Sequence, residues 1–288
     1  MRNSPVSSSR KSLISVILPA HNEEAWIAGC LDAVLASDLS SCTLEVIVVA
    51  NGCIDETAAR ARSLAAKADE VGARLYVFEI GTCGKPGALT FGDAQARGDA
   101  IVYLDADVIV CPNLLGSLAK VLAVDAPRYA GGTPRLSHAK SMVSRLYGAF
   151  WMTQPFNTQG VPGYGLFAMN RLGRDRWGDW PEIVSDDTFA RLNFTATERV
   201  QVPASYEWPL VEGFANLVRV RRRQDRGVRE LAKAFPHLVA NNETPKETRV
   251  QMAMRMITAP IAFGVYASVA LMVRCSANKD AGNWTRGR

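Results

Sequence analysis

Along the first 110 residues, short apolar runs alternate with longer stretches whose apolar positions recur every three or four residues. The runs at 15–18, 45–49, 75–79 and 101–104 predict strands, and the stretches at 23–36, 55–70 and 87–97 predict the helices between them. Strands that read as nearly continuous apolar runs are buried on both faces. The alternation therefore predicts βαβ units and a mostly parallel sheet covered by helices on both sides. Beyond Pro112 the pattern is mixed, with a helix expected to about Val124, a strand at 129–135, a glycine-rich loop at 161–165 and a strand at 166–169. A further helix is expected from Ser185, because Ser185-Asp186-Asp187 offers an N-cap and first-turn acids ahead of Phe189 and Leu192. Residues 1–12 are serine-rich and polar and are expected to form a loose tail.

The last stretch is unlike the rest. Residues 256–273 are eighteen positions without a charge, bounded by Arg255 and Arg274, and as one helix they would measure about 27 Å, the short limit for a bilayer span. Thr258, Pro260, Gly264, Ser268 and several alanines dilute the apolarity. Membrane contact is expected, as a span or as a re-entrant or interfacial segment, with a helix buried against protein as the alternative. Basic residues flank both ends and leave the orientation open. The chain thus divides into a tail at 1–12, a main unit at 13–227, a helical linker at 228–255, the apolar helix at 256–273 and a tail at 274–288.

A length of 288 residues suits one large α/β unit with a sizeable core and an appendage. Lys and Arg total 33 against 28 Asp and Glu, and the excess is local: Arg219, Arg221, Arg222, Arg223, Arg226 and Arg229 fall within eleven residues. That describes a basic patch rather than a basic protein, and no nucleic-acid partner is expected. Six cysteines lie scattered without Cys-x-x-Cys spacing, which indicates neither a zinc site nor a disulfide framework and suits a reducing compartment. The stretch from Leu13 to Ala20, after Arg10-Lys11, imitates a secretion signal. It is too short, contains Pro19 and runs straight into His21-Asn22-Glu23-Glu24, so it is a first strand.

In open α/β sheets the ligand lies beyond the carboxyl ends of the strands, and the candidate chemistry collects there. The run 101–104 ends in Asp105-Ala106-Asp107. Carboxylates at i and i+2 leaving a strand can converge on one hard divalent cation whose shell phosphate oxygens complete, which is the chemistry of a metal-bridged nucleoside diphosphate. The first strand delivers Pro19-Ala20-His21-Asn22-Glu23-Glu24 to the same edge, and the second delivers Ala50-Asn51-Gly52-Cys53-Ile54-Asp55-Glu56-Thr57.

With Gly84-Lys85-Pro86-Gly87 and the aspartate pair following in that order, the chain resembles a family 2 glycosyltransferase of the GT-A fold over about residues 13–227. The resemblance implies an α/β architecture with a Rossmann-like, mostly parallel central sheet and helices on both faces, joined by a C-terminal helical, membrane-associated segment. It implies that Pro19, Ala20, Asn22 and Glu23 approach the nucleoside, that Asn51 holds base or ribose, and that Lys85, Asp105 and Ala106 lie at the nucleotide. Mg²⁺ or Mn²⁺ would sit on Asp105 and Asp107. The residue types fit: a small Ala20 lets backbone near a base, Asn22 and Glu23 offer acceptors to ribose hydroxyls, and Lys85 supplies a cation. Asn22-Glu23 can at the same time cap a helix. In the second loop Ala50-Asn51 replaces the commoner acidic pair, so uracil is not implied.

Ser185-Asp186-Asp187-Thr188 resembles the family's Thr-Glu-Asp segment. That match makes Asp187 the general base a sugar hydroxyl requires, with Asp186 in support, while the same two acids also favour a helix N-terminus. The glycine-bearing segment 162–167 resembles the one that borders donor sugar and acceptor. Trp151, Trp177 and Trp180 offer either a stacking face for a sugar ring or ordinary core. Arg223 falls where lipid-linked and processive members carry the arginine of Gln-x-x-Arg-Trp, positioned to stabilise a departing diphosphate. Val220 and Gln224 replace the glutamine and tryptophan of that motif, which argues against long-chain processive synthesis. The same arginine run can meet anionic headgroups.

The implied activity is inverting, metal-dependent transfer of one sugar from a UDP- or GDP-linked donor to a hydroxyl of a saccharide or lipid-linked acceptor, in polysaccharide, glycolipid or cell-envelope glycan synthesis. Inversion follows from one in-line displacement without an enzyme nucleophile. Nucleotide sugars are cytoplasmic, which places the chemistry at the cytoplasmic face of the membrane. Two other readings stand beside it. A sugar-1-phosphate nucleotidyltransferase would carry a Gly-rich, basic first loop in place of Pro19-Ala20-His21-Asn22-Glu23-Glu24. A non-catalytic nucleotide- or membrane-binding scaffold of the same fold has the joint presence of Asp105, Asp107 and Asp187 against it.

Overall fold

The computed structural model describes residues 11–243 and 247–275. In chain order its first half comprises β1 (Ser12–Ala20), α1 (Ile27–Leu35), β2 (Cys42–Asn51), α2 (Thr57–Arg62), α3 (Ala65–Glu70), β3 (Arg74–Ile80), α4 (Gly84–Gln95) and β4 (Ala100–Leu104). Then come β5 (Ile109–Val110), α5 (Leu114–Leu122), β6 (Tyr129–Leu136), α6 (Met142–Trp151), α7 (Pro155–Gln159), β7 (Leu166–Asn170), α8 (Arg171–Arg174), α9 (Asp186–Leu192) and β8 (Arg199–Trp208). The helices α10 (Phe214–Ala234), α11 (Arg249–Thr258) and α12 (Pro260–Cys275) follow. All strands join one sheet in the order β3-β2-β1-β4-β7-β6-β8-β5. The half built from βαβ units is parallel, β7 enters antiparallel to both β4 and β6, and β6 pairs with β8 in parallel.

The sheet has a core on each face because its central strands are apolar on both. On one side Ile14, Val16 and Leu18 join Ile27 and Leu31 of α1 and Leu114 and Leu118 of α5. On the other, Ile17, Ile47 and Ile101 join Ala88 and Leu89 of α4 and Phe189 and Leu192 of α9. Each buried Val, Leu, Ile or Phe side chain among these contributes about 1.5–3 kcal/mol when taken fully from water. A third cluster lies apart from the sheet, where Val269 and Val273 of α12 pack on Tyr147 of α6 and on Leu217 and Val218 of α10. The expected unit boundary at 227 falls inside α10, which runs unbroken to Ala234.

Three expected helices change their bounds for local reasons. The one expected at 23–36 begins at Ile27, because Asn22 takes a left-handed φ of 55° and the Glu23 carbonyl accepts from both the Trp26 and Ile27 N–H groups. The one expected at 55–70 divides after Arg62, where the Ser63 hydroxyl donates to the Arg60 carbonyl. The one expected at 87–97 starts earlier, at Gly84, with Pro86 in the first turn, where a missing N–H costs nothing. At α9, Ser185 occupies the N-cap position but its side chain makes no capping bond.

The apolar segment 256–273 is not one helix. Pro260 removes a backbone donor and disfavours a helical residue before it, and Ala259, at φ −139° and ψ 60°, ends α11 there. The two helices meet at a bend of 116°. No single described helix is long and apolar enough to cross a membrane, although the bent pair reaches that length and composition.

The end of the sheet opposite the strands' carboxyl termini is pinned by buried polar groups. The Gly98 N–H donates to Ser15 Oγ (2.7 Å), and Ser15 Oγ and the Arg97 N–H both donate to Glu45 Oε1. A Cβ on Gly98 would lie 2.6 Å from the Ser15 nitrogen and 2.8 Å from the Ala100 carbonyl oxygen, both of them backbone. Gly98→Ala should therefore cost about 1–3 kcal/mol of stability by overpacking. Gly178→Ala, where a Cβ meets nothing within 4 Å, should stay within about 0.5 kcal/mol. Urea denaturation midpoints of the two variants check this, and equal midpoints would contradict the pinning role.

Candidate active site

The strand order reverses at β1, which pairs in parallel with β2 on one side and β4 on the other. Such a switch point opens a crevice outside the carboxyl ends of the strands. With Ile14 opposite Ala100 and Ile17 opposite Tyr103, β1 and β4 finish level, so Pro19 and Asp105 come out side by side. A cavity at this point is lined by Pro19, Lys85, Asp105, Asp186, Asp187 and Arg223, among others. All six belong to the residues that the sequence motifs pick out, and they come from five separate parts of the chain.

Lys85 joins them. From the first turn of α4 its Nζ reaches Asp105 Oδ1 at 2.9 Å and Asp186 Oδ2 at 2.9 Å. Burial works against its charge, but the two carboxylates outweigh burial and hold the ammonium above its ordinary value. Arg223, on α10, faces the same cavity. Burial pulls its guanidinium below the ordinary value, with Asp105 and Asp186 opposing.

Asp187 sits deeper. Its Oδ1 accepts from the Thr188 N–H at 2.6 Å and from the Thr188 hydroxyl at 3.3 Å. Burial and the neighbouring Asp186 charge push its carboxyl up to about 6, while Lys85 pulls the other way. The glycine loop closes behind it. A Cβ at Gly163 would stand 2.4 Å from the Tyr129 hydroxyl and 3.3 Å from Asp187 Cβ, so only glycine lets the loop come this near. Gly165 takes φ +75°, and its carbonyl accepts from the Asp105 N–H at 2.9 Å. The loop thereby fixes the end of β4 as well.

The nucleoside-side residues are placed differently. Loops 20–24 and 51–57 are laced together: Asn22 Oδ1 accepts from the Ile54 N–H (2.8 Å), Thr57 Oγ1 from the Glu23 N–H (2.7 Å) and Asp55 Oδ2 from the Glu24 N–H (3.2 Å). Asn51 is 1% exposed. Its Oδ1 accepts from the Cys83 N–H (2.9 Å) and its Nδ2 donates to the Gly84 carbonyl (2.7 Å). The amides of Asn22 and Asn51 thus hold backbone, and Asn51 sets the turn from which Lys85 rises. Ala20 ends β1 in the core and Ala106 is buried beside it, while Asp107 is half-buried.

A sequence model described as glycosyl transferase family 2 matches residues 15–181. This chain belongs to that family. It is 40% identical to the glycosyltransferase AglD of Haloferax volcanii over 98 residues, which are 33% of this chain and 15% of that protein. It is 28% identical to the probable glycosyltransferase YdaM of Bacillus subtilis over 190 residues, 61% of this chain and 44% of that protein. The chain therefore spans less than half the length of either. Among solved structures, the mannosyltransferase PcManGT of Pyrobaculum calidifontis, in complex with GDP-Man and Mn²⁺, superposes with a TM-score of 0.59 at 20% identity, covering 95% of this chain and 77% of that one. The architecture is the GT-A fold.

Asp186, Asp187 and Arg223, which line the cavity, all lie past residue 181 and so beyond the matched span. Trp208, on β8, also lines the cavity and belongs to none of the motifs named above. Its signal was present: Val200, Val202, Ala204, Tyr206 and Trp208 alternate strictly, the mark of a strand with one buried face. Of the three candidate tryptophans, Trp180 is core and Trp177 packs beside it. The Arg174 guanidinium lies over both rings and pairs with Asp93 at 2.7 Å. Trp151 packs against Tyr164 and Trp208 at the cavity edge, with ring centroids 5.0 and 5.7 Å away. Among the described residues no three His, Cys, Asp or Glu side chains cluster as a ready-made metal site.

The role of Asn51 is open to a direct check. Asn51→Ala removes both partners of the turn at 83–84 and should lower stability by about 1–3 kcal/mol. Asn51→Asp should cost at least as much, because a carboxylate cannot donate to the Gly84 carbonyl. Thermal melts of the two variants measure this, and a wild-type melting curve for Asn51→Asp would contradict the assignment.

Proposed function

We propose that this chain transfers one sugar from a nucleoside-diphosphate donor to an acceptor hydroxyl, with inversion at the anomeric carbon. The observation that carries the reading is the convergence of Lys85 and Arg223 with Asp105, Asp186 and Asp187 at the switch point of the sheet. Lys85 and Arg223 place two cations where a diphosphate would lie, ready for charge-assisted bonds that strengthen as the leaving group gains charge. Asp187 is the one carboxylate of the set braced by its own helix rather than by a cation, and it accepts the proton of the attacking hydroxyl. The hydroxyl oxygen bonds to the anomeric carbon as the bond to the diphosphate breaks, and the electron pair departs with the diphosphate. Asp186 holds Lys85 in place.

Asp105 and Asp107 suit a divalent cation that arrives with the donor, since a hard cation takes one or two protein carboxylates and completes its shell with phosphate oxygens. When bound, Mg²⁺ or Mn²⁺ would neutralise charge on the diphosphate. The GDP-Man and Mn²⁺ held by the Pyrobaculum calidifontis relative support this choice of partners, with UDP and GDP both open as the carrier. Residues 13–227 would carry the chemistry. The bend between α11 and α12 would rest on the cytoplasmic face of a membrane, where Ile257 and Ile261 are 79% and 71% exposed and Arg249, Arg255 and Arg274 stand nearby in the chain. Acceptors are then saccharides or lipid-linked saccharides.

The test is a melting-point screen against UDP, GDP, ADP and CMP with and without Mn²⁺. A nucleotide at about a hundred times its Kd adds about 2.7 kcal/mol of stability. One nucleotide should shift the melt in a metal-dependent way, and Asp107→Asn should abolish the shift. No shift with any nucleotide would favour the scaffold. Asp187→Asn should keep nucleotide binding but lower sugar transfer by about 10²-fold or more.

A pH profile follows from the same carboxylate. The base works ionised, so turnover should hold above about pH 6 and fall about tenfold per unit below it. Removing the neighbouring charge with Asp186→Asn should move that acid limb to lower pH. A profile flat down to pH 4 would show that burial and Asp186 do not raise Asp187 in the working enzyme.

A further inference from the structure

A second cavity, of about 270 Å³, lies on the other side of Asp187. It shares Tyr164, Ser185, Asp187 and Gln224 with the first, and its remaining walls include Trp151 of α6 and Phe156 of α7, inside the matched span, and Asp225 of α10 and Tyr266 of α12, beyond it. We infer that this cavity is the acceptor subsite, that it takes a neutral pyranose ring, and that Trp151, Gln154 and Tyr266 select the acceptor. The inference rests on the sugar-transfer reading above.

Four observations carry it. Asp187 borders both cavities, so a ring in the second can present a hydroxyl to the base while the donor lies in the first. The walls combine aromatic rings with planar polar groups. A pyranose has an apolar C–H face for the one and a rim of hydroxyls for the other, and small-molecule sites are built from this mixture. The rings are held in place: Tyr164 donates to Asn157 Oδ1 at 3.0 Å, the Asn157 amide donates to the Trp151 carbonyl at 2.7 Å, and Tyr266 packs on Tyr147 and Phe150 at 5.5 and 5.0 Å. One wall group is left over. Gln154 Nε2 is buried and finds no hydrogen-bond partner among the described residues, which leaves a donor for a ligand oxygen.

Charge decides between a sugar and a lipid phosphate. Two carboxylates line the cavity, Asp187 and Asp225, against one guanidinium, Arg221, which is already paired to Asp225 at 2.8 Å. A phosphate headgroup would enter a wall of net negative charge, whereas a polyol meets acceptors for its hydroxyls. At about 270 Å³ the space lies near the lower limit of small-molecule pockets, room for about one ring.

The experiment uses the full chain with the donor whose nucleotide shifts the melt. Methyl and octyl glycosides of glucose, galactose, mannose and N-acetylglucosamine serve as acceptors, with geranyl phosphate as the charged contrast. At least one glycoside should accelerate donor consumption over the rate in water. Tyr266→Ala and Gln154→Ala should each raise the KM for that glycoside tenfold or more, with the donor KM moving less than twofold. Gln154→Ala guards against misfolding, since it removes an amide that holds nothing else. Acceleration by geranyl phosphate and not by any glycoside would overturn the assignment, as would indifference to all of the acceptors, or acceptor and donor KM rising together in the variants. A failure to bind any nucleotide sinks the sugar-transfer reading itself. Nucleotide binding without an acceptor response sinks only the second cavity.

Discussion

Lys85 stands between Asp105 and Asp186, 2.9 Å from each, and three parts of the chain remote in sequence meet at its ammonium. Without it the end of β4 and the start of α9 would face one another as two carboxylates. Like charges at about 4 Å under an effective dielectric of about 20 repel by roughly 4 kcal/mol, several times the worth of an exposed ion pair. The ammonium turns that repulsion into two attractions and so fixes α9, with Asp187 on it, against the sheet. An ammonium has three donors and Lys85 gives two of them to carboxylates, so one remains for a phosphate oxygen. On the proposed reading, the contact that organises the cavity would also meet the donor's diphosphate.

Around that contact the chain places polar groups in two tiers. The inner tier faces the cavity: Asp105, Asp186, Asp187, Lys85 and Arg223. The outer tier holds backbone: Asn51 grips the turn at 83–84, Asn22 and Thr57 lace the first two loops, and Gly165 anchors Asp105. A buried amide that satisfies two backbone groups costs little and leaves them no alternative arrangement, because an unmade buried hydrogen bond is expensive. Such a frame loses little further freedom when a ligand arrives, which is what preorganisation of a transition-state site requires.

Much of this is legible in the sequence, and the rest is not for identifiable reasons. The parallel half reads clearly because strands buried on both faces, such as 46–49 and 101–104, are continuous apolar runs, and the motifs that follow them mark the sheet edge. Strand β8 carried a clean alternation that Pro203, which is exposed and tolerated there, made easy to pass over. The helix breaks at Asn22, Ser63 and Ala259 depend on single backbone angles and side-chain bonds that no periodicity records. Asn22 and Asn51 show the deeper limit. A polar residue at a strand end looks the same in sequence whether it faces a ligand or its own backbone, and only the hydrogen-bond partners separate the two. The second cavity was illegible for a related reason, since Trp151, Asp225 and Tyr266 come from α6, α10 and α12 and share no local spacing.

The participation of α12 ties acceptor choice to the C-terminal bend. One face of the helix, through Val269 and Val273, packs on α6 and α10, and Tyr266 reaches the second cavity, while Ile261, Leu271 and Met272 are exposed. A single helix therefore carries both a cavity wall and an apolar outer face. Contact of that face with a membrane would bear on the same helix that positions Tyr266, and it would set the mouth of the acceptor cavity close to the lipid surface. A saccharide carried on a lipid could then enter with its sugar in the cavity and its chain along α12, without the cavity itself recognising lipid. On this arrangement the negative wall of the cavity and the apolar face of the helix are complementary requirements of one amphipathic acceptor: the wall admits the neutral sugar, and the helix faces the lipid.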